Sequence, residues 1–224
     1  MKVLSGFANW MWFDYAKIYL HVFFLSFFLS GRLSLAHEWY FVKRVNDGDT
    51  ILLEDGQNVR YIGINAPEID HDNKKAEHFG YKANVFNKKL LTSKKVRLEF
   101  DFERYDQYGR LLAYVFLQDG TFVNKVMIEQ GCAYFLSRKP NIRYGQVLFK
   151  SQRKAMSAKK GIWRNWRKQT DVYSGNKRSK RFHHKTCPFG KKIGKTNRIF
   201  FSSRWDAFWK GFAPCKKCIS ERFR

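Results

Sequence analysis

From Trp39 onward the chain alternates between short apolar runs and turn residues. Trp39 to Val45 is rich in aromatic and β-branched residues and predicts a strand. Asn46-Asp47-Gly48 is a turn signal, Thr50 to Leu53 a second strand, and Asp55-Gly56 a second hairpin turn. Val59 to Ile64 predicts a third strand, broken by Ala66-Pro67. Between Lys75 and Leu91 the apolar residues Phe79, Ala83, Phe86 and Leu90 recur at helical spacing. Val96 to Phe102 and Arg110 to Phe116 predict two more strands, separated by the polar loop Glu103 to Gly109. Val123 to Gln130 reads as a helix capped by Gly131, and Gln146 to Lys160 as a basic helix stopped at Gly161.

Three meandering strands, a helix, two strands and then helices make an α+β chain. Five short strands in this order can close as a small Greek-key barrel of the OB type. After Trp166 the composition shifts. Residues 167–180 are polar, contain Ser174-Gly175-Asn176, and read as a basic linker. Residues 181–224 regain aromatic residues and cysteines and read as a small folded module. The organisation expected is therefore a leader over 1–36, a barrel domain over 37–166, the linker, and the module.

The leader has its own pattern. Ile18 to Ser30 is apolar, Lys17 precedes it, and Ser34-Leu35-Ala36 offers small residues for cleavage after Ala36. The run is shorter than the ~20 apolar residues a spanning helix needs. Export to the periplasm or the medium is the expectation, with membrane anchoring through an uncleaved leader as the alternative.

Charge narrows the partners. The 224 residues carry 43 Lys and Arg against 19 Asp and Glu, a net charge of +24. A surplus of that size attracts polyanions such as nucleic acid, anionic lipid or acidic polysaccharide, and does not choose among them.

The candidate chemistry gathers at strand ends. Asp49 follows the first turn, and Asn65 and Glu68 end the third strand; neighbouring strands run about 4.8 Å apart, so the three can converge. Oxygen-only ligands suit a hard cation, and a backbone carbonyl can fill one position. Arg60 lies on the third strand, and Arg110 begins the fifth after Tyr105-Asp106-Gln107-Tyr108-Gly109. Two arginines facing a cation can grip a phosphate and stabilise its transition state, while Glu68 activates water. Taken singly, each has a plainer reading as a turn, surface or salt-bridged residue.

The three segments Val45 to Ile51, Val59 to Glu68 and Asp106 to Arg110 resemble, in order and spacing, the staphylococcal (micrococcal) nuclease family, and the likeness runs from about Trp39 to Trp163. The resemblance implies a five-stranded OB barrel with flanking helices and calcium-dependent endonucleolytic hydrolysis of DNA and RNA, and a monomer is the expectation. It implies Arg60 and Arg110 as the phosphate-binding arginines, Glu68 as general base, Asp49 as a calcium ligand, the Ala66 carbonyl as another, and Tyr108 as a nucleotide contact. Asn65 stands where the family carries a second ligating aspartate, which weakens the expected calcium site. Leu136-Ser137-Arg138 stands where the staphylococcal enzyme has pocket tyrosines, so base preference does not carry over.

Four cysteines complete the inventory. Cys132 reads as a buried small hydrophobe. Cys215-Lys216-Lys217-Cys218 has metal-ligand spacing, and with Cys187 and either His183, four residues before it, or His184, three before it, makes a tetrahedral zinc set. A disulfide is the competing reading in an exported chain. The segment from His183 to Cys218 resembles the small metal-binding domain of the Ada DNA-repair protein, with His183 in place of its first cysteine. That likeness implies zinc and a DNA-contacting role. The overall expectation is a nuclease, against the alternative of a non-catalytic OB-fold module that binds nucleic acid without cutting it.

Overall fold

The computed structural model describes residues 38–70, 75–166 and 170–219, with the side chains of residues 218 and 219 excepted. The leader expected over residues 1–36 lies outside the described residues. Among the described residues, no helix is long and apolar enough to cross a membrane.

Strands β1 (Trp39–Val45), β2 (Thr50–Leu53) and β3 (Asn58–Tyr61) form an antiparallel meander. The short β4 (Ile64–Asn65) and helix α1 (Gly80–Leu91) follow, then β5 (Lys95–Glu99) and β6 (Leu111–Leu117). The barrel closes in the order β1-β2-β3-β6-β5, with β3 parallel to β6 and β1 antiparallel to β5. Alternation along the strands sends Ile51 and Leu53, Val59, Val96, and Ala113 and Val115 into a fully buried interior. The chain is thus α+β with a five-stranded closed barrel, as its pattern predicts.

Helix α2 (Val123–Glu129), strand β7 (Tyr134–Phe135) and helix α3 (Gly145–Ser157) cover one side of the barrel. The buried Asn124 fixes α2 to β6 and to the turn after β3: its Nδ2 donates to the Ile62 carbonyl at 2.9 Å, and its Oδ1 accepts from the Val115 N–H at 2.9 Å. Cys132 is a free, buried thiol whose pKa burial pushes up to about 12, which suits a packing residue rather than a nucleophile.

Three local expectations differ from the structure. The third strand is not continuous to Ile64. Gly63 adopts φ 79°, a left-handed conformation that glycine tolerates and that ends β3; β4 then pairs with β7. The helix expected from Lys75 begins at Gly80, because the preceding backbone bonds to the strand end instead. The Glu77 N–H donates to the Glu68 carbonyl at 2.9 Å, and the Glu68 N–H donates to the Glu77 carboxylate at 3.1 Å. The expected linker is also partly ordered structure, since Tyr173–Asn176 forms β8.

Strand β8 pairs with β9 (Arg181–His184), helix α4 (Pro188–Lys191) follows, and β10 (Arg198–Phe201) pairs with the other edge of β8. After helix α5 (Arg204–Trp209), strand β11 (Ala213–Pro214) adds parallel to β9, and α6 (Lys216–Ile219) ends the described chain. This small sheet does not stand apart from the barrel domain. Ala155, Met156 and Trp163 share one buried cluster with Tyr173, Phe182 and Phe208. Trp163 meets Phe208 and Trp205 edge to face, and such pairs add ~0.5–1.5 kcal/mol each beyond burial. Gln152, fully buried on α3, accepts from the Phe135 N–H and donates to the Phe208 carbonyl, both at 2.7 Å. The strong terms across this boundary are apolar and buried, so the module's sheet is held firmly beside the barrel mouth.

Candidate active site

The site begins at the turn between β1 and β2. The Asp47 carboxylate accepts from the Asp49 N–H at 2.8 Å, and the Asn46 and Asp47 N–H groups both donate to the Thr50 carbonyl. Helix α1 clamps this turn from behind: Asn84 Nδ2 donates to the Asn46 carbonyl at 3.0 Å and Asn87 Nδ2 to the Asp47 carbonyl at 3.1 Å. Gly48 is needed because a Cβ there would run into the side chains of Ala66 and Ala83. The turn therefore presses against the end of β4.

That contact brings Asp49, Arg60, Asn65 and Ala66 together. Arg60 Nη2 lies 2.9 Å from Asp49 Oδ2 and donates to Asn65 Oδ1 at 3.1 Å. Its Nη1 donates to the Tyr61 carbonyl at 2.8 Å. The same Asp49 oxygen accepts from the Ala66 N–H at 2.6 Å, and Asn65 Nδ2 donates to the Ala66 carbonyl at 3.0 Å. A guanidinium has five N–H donors, so three are engaged here and two remain for a ligand. Burial pushes the Asp49 carboxyl up to about 7 against the pull of Arg60; Asp47 and Glu68 add to the push and the Ala66 N–H opposes it.

Arg110 is held separately. Its Nε donates to Asp106 Oδ2 at 2.8 Å, its Nη2 lies 2.7 Å from the same oxygen, and the Arg110 N–H donates to Asp106 Oδ1 at 3.0 Å. The Tyr108 N–H donates to Oδ1 at 2.9 Å, so one carboxylate shapes the whole 106–110 loop. Tyr108 is 74% exposed, with the Arg110 guanidinium 5.5 Å from its ring centre. Arg60, Glu68 and Arg110 line one cleft of about 280 Å³, together with Asp49, Tyr108 and Lys216. Glu68 is exposed at its edge.

A second cluster lies in the C-terminal sheet. One donor atom each from His183, Cys187 and Cys215 falls within 4.8 Å of the others, and Cys187 Sγ is 3.5 Å from His183 Nδ1. Bonds of about 2.0–2.3 Å to a tetrahedral zinc put donors roughly 3.5–3.8 Å apart, so the three fit with small side-chain shifts. Burial, with Arg181 adding to it, holds the His183 imidazole below its ordinary range, which favours the neutral, ligating form. Cys215 is a free thiol. The side chain of Cys218 lies outside the described residues. His184 turns elsewhere, with Nε2 2.7 Å from the Asp171 carboxylate and Nδ1 2.7 Å from the Thr186 hydroxyl.

Residues 58–165 match the family model described as Staphylococcal nuclease homologue. The thermonuclease of Staphylococcus hyicus is 42% identical over 142 residues, spanning 62% of this chain and 83% of that protein. The chain belongs to the staphylococcal nuclease family. The thermonuclease of Staphylococcus intermedius is 43% identical over 139 residues, 61% of this chain and 82% of that protein. Endonuclease YhcR of Bacillus subtilis (strain 168) is 30% identical over 198 residues, 76% of this chain and 16% of that protein.

Within this staphylococcal nuclease-family site, sequence reasoning passed over three contributors. Asp47 looked like a turn residue and also lines the cleft. Asp106 was visible inside the third motif, but its role as the anchor of Arg110 needed coordinates. Lys216 sat between two expected zinc ligands, with no signal that it would reach the cleft.

The Asp106 anchor has a pH signature. Burial alone would raise its carboxyl, but the Arg110 guanidinium and the Arg110 and Tyr108 N–H groups outweigh burial and hold it below the ordinary carboxylate range. A depressed folded value means its stabilisation is complete above the unfolded value of about 3.9 and disappears as pH falls through the lower folded value. Asp106→Asn is therefore expected to unfold at lower urea than wild type at pH 7, with the gap closing below about pH 4. A gap of constant size from pH 7 to pH 3 would show that the ion pair does not order this loop.

Proposed function

We propose that this nuclease hydrolyses phosphodiester bonds of DNA and RNA with Glu68 as general base and Arg60 and Arg110 as phosphate-binding groups. Nuclease action on nucleic acid, and endonucleolytic hydrolysis as its class, follow from the family. The residue roles are inferred from the 280 Å³ cleft, which gathers both arginines, Glu68 and Tyr108 around a space open to solvent.

The chemistry needs little more. A phosphodiester entering the cleft would meet the two unengaged N–H donors of Arg60 on one side and Arg110, braced by Asp106, on the other. Glu68, exposed and facing the same space, takes a proton from a water that attacks phosphorus in line with the leaving oxygen. The five-coordinate phosphorus carries more negative charge than the diester, and the arginines stabilise that difference; one such donor contributes about 10²–10³ in rate. Tyr108 offers an exposed ring for a base to stack on.

Asp49, Asn65 and the Ala66 carbonyl would hold a calcium ion. Their donors are all oxygen and lie on buried residues whose polar groups already converge on one point, Asp49 Oδ2 on the Ala66 N–H and Asn65 Nδ2 on the Ala66 carbonyl, so the set fits a hard cation. When bound, the ion supplies charge neutralisation at the phosphoryl oxygens. Asn65 is a neutral ligand, and fewer charged ligands make a weaker calcium site. His183, Cys187, Cys215 and Cys218 would hold a structural zinc in the module, closing its sheet beside the cleft.

Asn65 is also the one observation that favours a binding module without catalysis. Plasmid and RNA digestion with calcium or a chelator decides between the readings. The wild type is expected to cut both in calcium, and Glu68→Gln to lose about 10²–10⁴ in kcat while still binding DNA. No cleavage by the wild type at any calcium concentration would leave the binding module. Metal analysis of the full chain, prepared under reducing conditions, is expected to give about one zinc per chain. A metal-free protein with a fully ordered C-terminal sheet would remove the zinc assignment.

A further inference from the structure

The cleft described above does not end at the two catalytic arginines. A second hollow of about 270 Å³ shares Arg60, Tyr108, Arg110 and Lys216 with it and continues past Leu136 to Arg138 and Arg181. Two of these cations come from the module rather than the barrel. Arg181 opens β9, where it pairs with Ala213 of β11, and its Nη1 donates to the Pro214 carbonyl at 3.0 Å. Lys216 opens α6, one residue after Cys215, and is exposed. Both lie outside residues 58–165, the part matched by the family model.

The charge on this face is unbalanced. Among the described residues, Arg138, Arg181 and Lys216 form no ion pair. The nearby carboxylates are mostly committed elsewhere, Asp49 to Arg60 and Asp106 to Arg110, and Glu103 is exposed at the rim. Three cations held around one open hollow repel one another until an anion enters. A strand whose scissile phosphate occupies the first hollow carries a second phosphate one nucleotide away.

We propose that Arg138, Arg181 and Lys216 form a second phosphate subsite, assembled across the barrel and the C-terminal module, which binds the phosphodiester neighbouring the one that is cut. The proposal rests on the reading of Arg60, Glu68 and Arg110 as the catalytic centre. Its consequence is a preference for polynucleotides over substrates with one phosphodiester, conferred by the module.

The test compares a single-stranded oligonucleotide with the nitrophenyl ester of a nucleoside phosphate, which has one phosphodiester. Wild type, Lys216→Ala and Arg181→Gln are assayed as full chains with zinc content checked. Each variant is expected to lower the ratio of kcat/KM for the oligonucleotide to that for the ester by about tenfold, the size of one charge-assisted contact. The slope of log KM for the oligonucleotide against log salt should fall by about 0.7 per lost contact. A ratio and slope equal to wild type in both variants overturn the subsite. Lys216→Ala keeps the test valid if Arg181→Gln fails to fold, because Lys216 is exposed. The underlying reading fails separately, by a Glu68→Gln enzyme that cuts the ester as fast as wild type.

Discussion

The ion pair between Asp49 and Arg60 is the interaction on which the site depends. Its partners are 2.9 Å apart with side chains only 7% and 13% exposed, so neither can be lost without stranding the other in a poorly solvated place. Asp49 Oδ2 also receives the Ala66 N–H, and the Arg60 group that meets it also meets Asn65. One carboxylate oxygen therefore ties the head of β2 to the side of β3 and the end of β4. The clamp of Asn84 and Asn87 on the preceding turn, and the absence of a side chain at Gly48, serve the same end by seating Asp49 against Ala66. Such a pair is weak as a source of stability and strong as a source of position, which is what Arg60 would need in the phosphate-binding role proposed for it.

Much of this was legible in the sequence for a physical reason. Short β-branched strands with Asp-Gly turns between them specify a meander through local rules, and the alternation of Ile51 and Leu53 or Ala113 and Val115 marks the inward face directly. The catalytic candidates were legible because three motifs occur in order. What the sequence concealed depends on distant contacts. Gly63 splits the third strand because β4 finds a partner in β7, which is about 70 positions away. The stretch 173–176 looks like a linker by composition, yet it pairs on both edges with β9 and β10. Polar, glycine-bearing strands lose to linkers in any reading by propensity, and only the pairing rescues them.

The module changes what kind of protein the barrel is. Its aromatic cluster with Trp163 is buried and extensive, so β9 and β11 are carried rigidly to the mouth of the cleft. A zinc at His183, Cys187 and Cys215 would fix the segment that bears Lys216, linking a structural metal to the shape of a substrate groove. The net charge of +24 then has two parts: a diffuse surplus that draws in any polyanion, and a few placed cations that, in the subsite proposed above, would hold one strand in register with Glu68.

The calcium dependence of DNA cleavage by wild type and Asn65→Asp bears at once on activity, on the metal and on the Asp49–Arg60–Asn65 cluster. Cleavage is expected to need calcium, with a half-maximal calcium concentration at least about threefold lower in Asn65→Asp, since a charged ligand replaces a neutral one. An unchanged half-maximal concentration, or full activity of the wild type in chelator, would contradict that expectation.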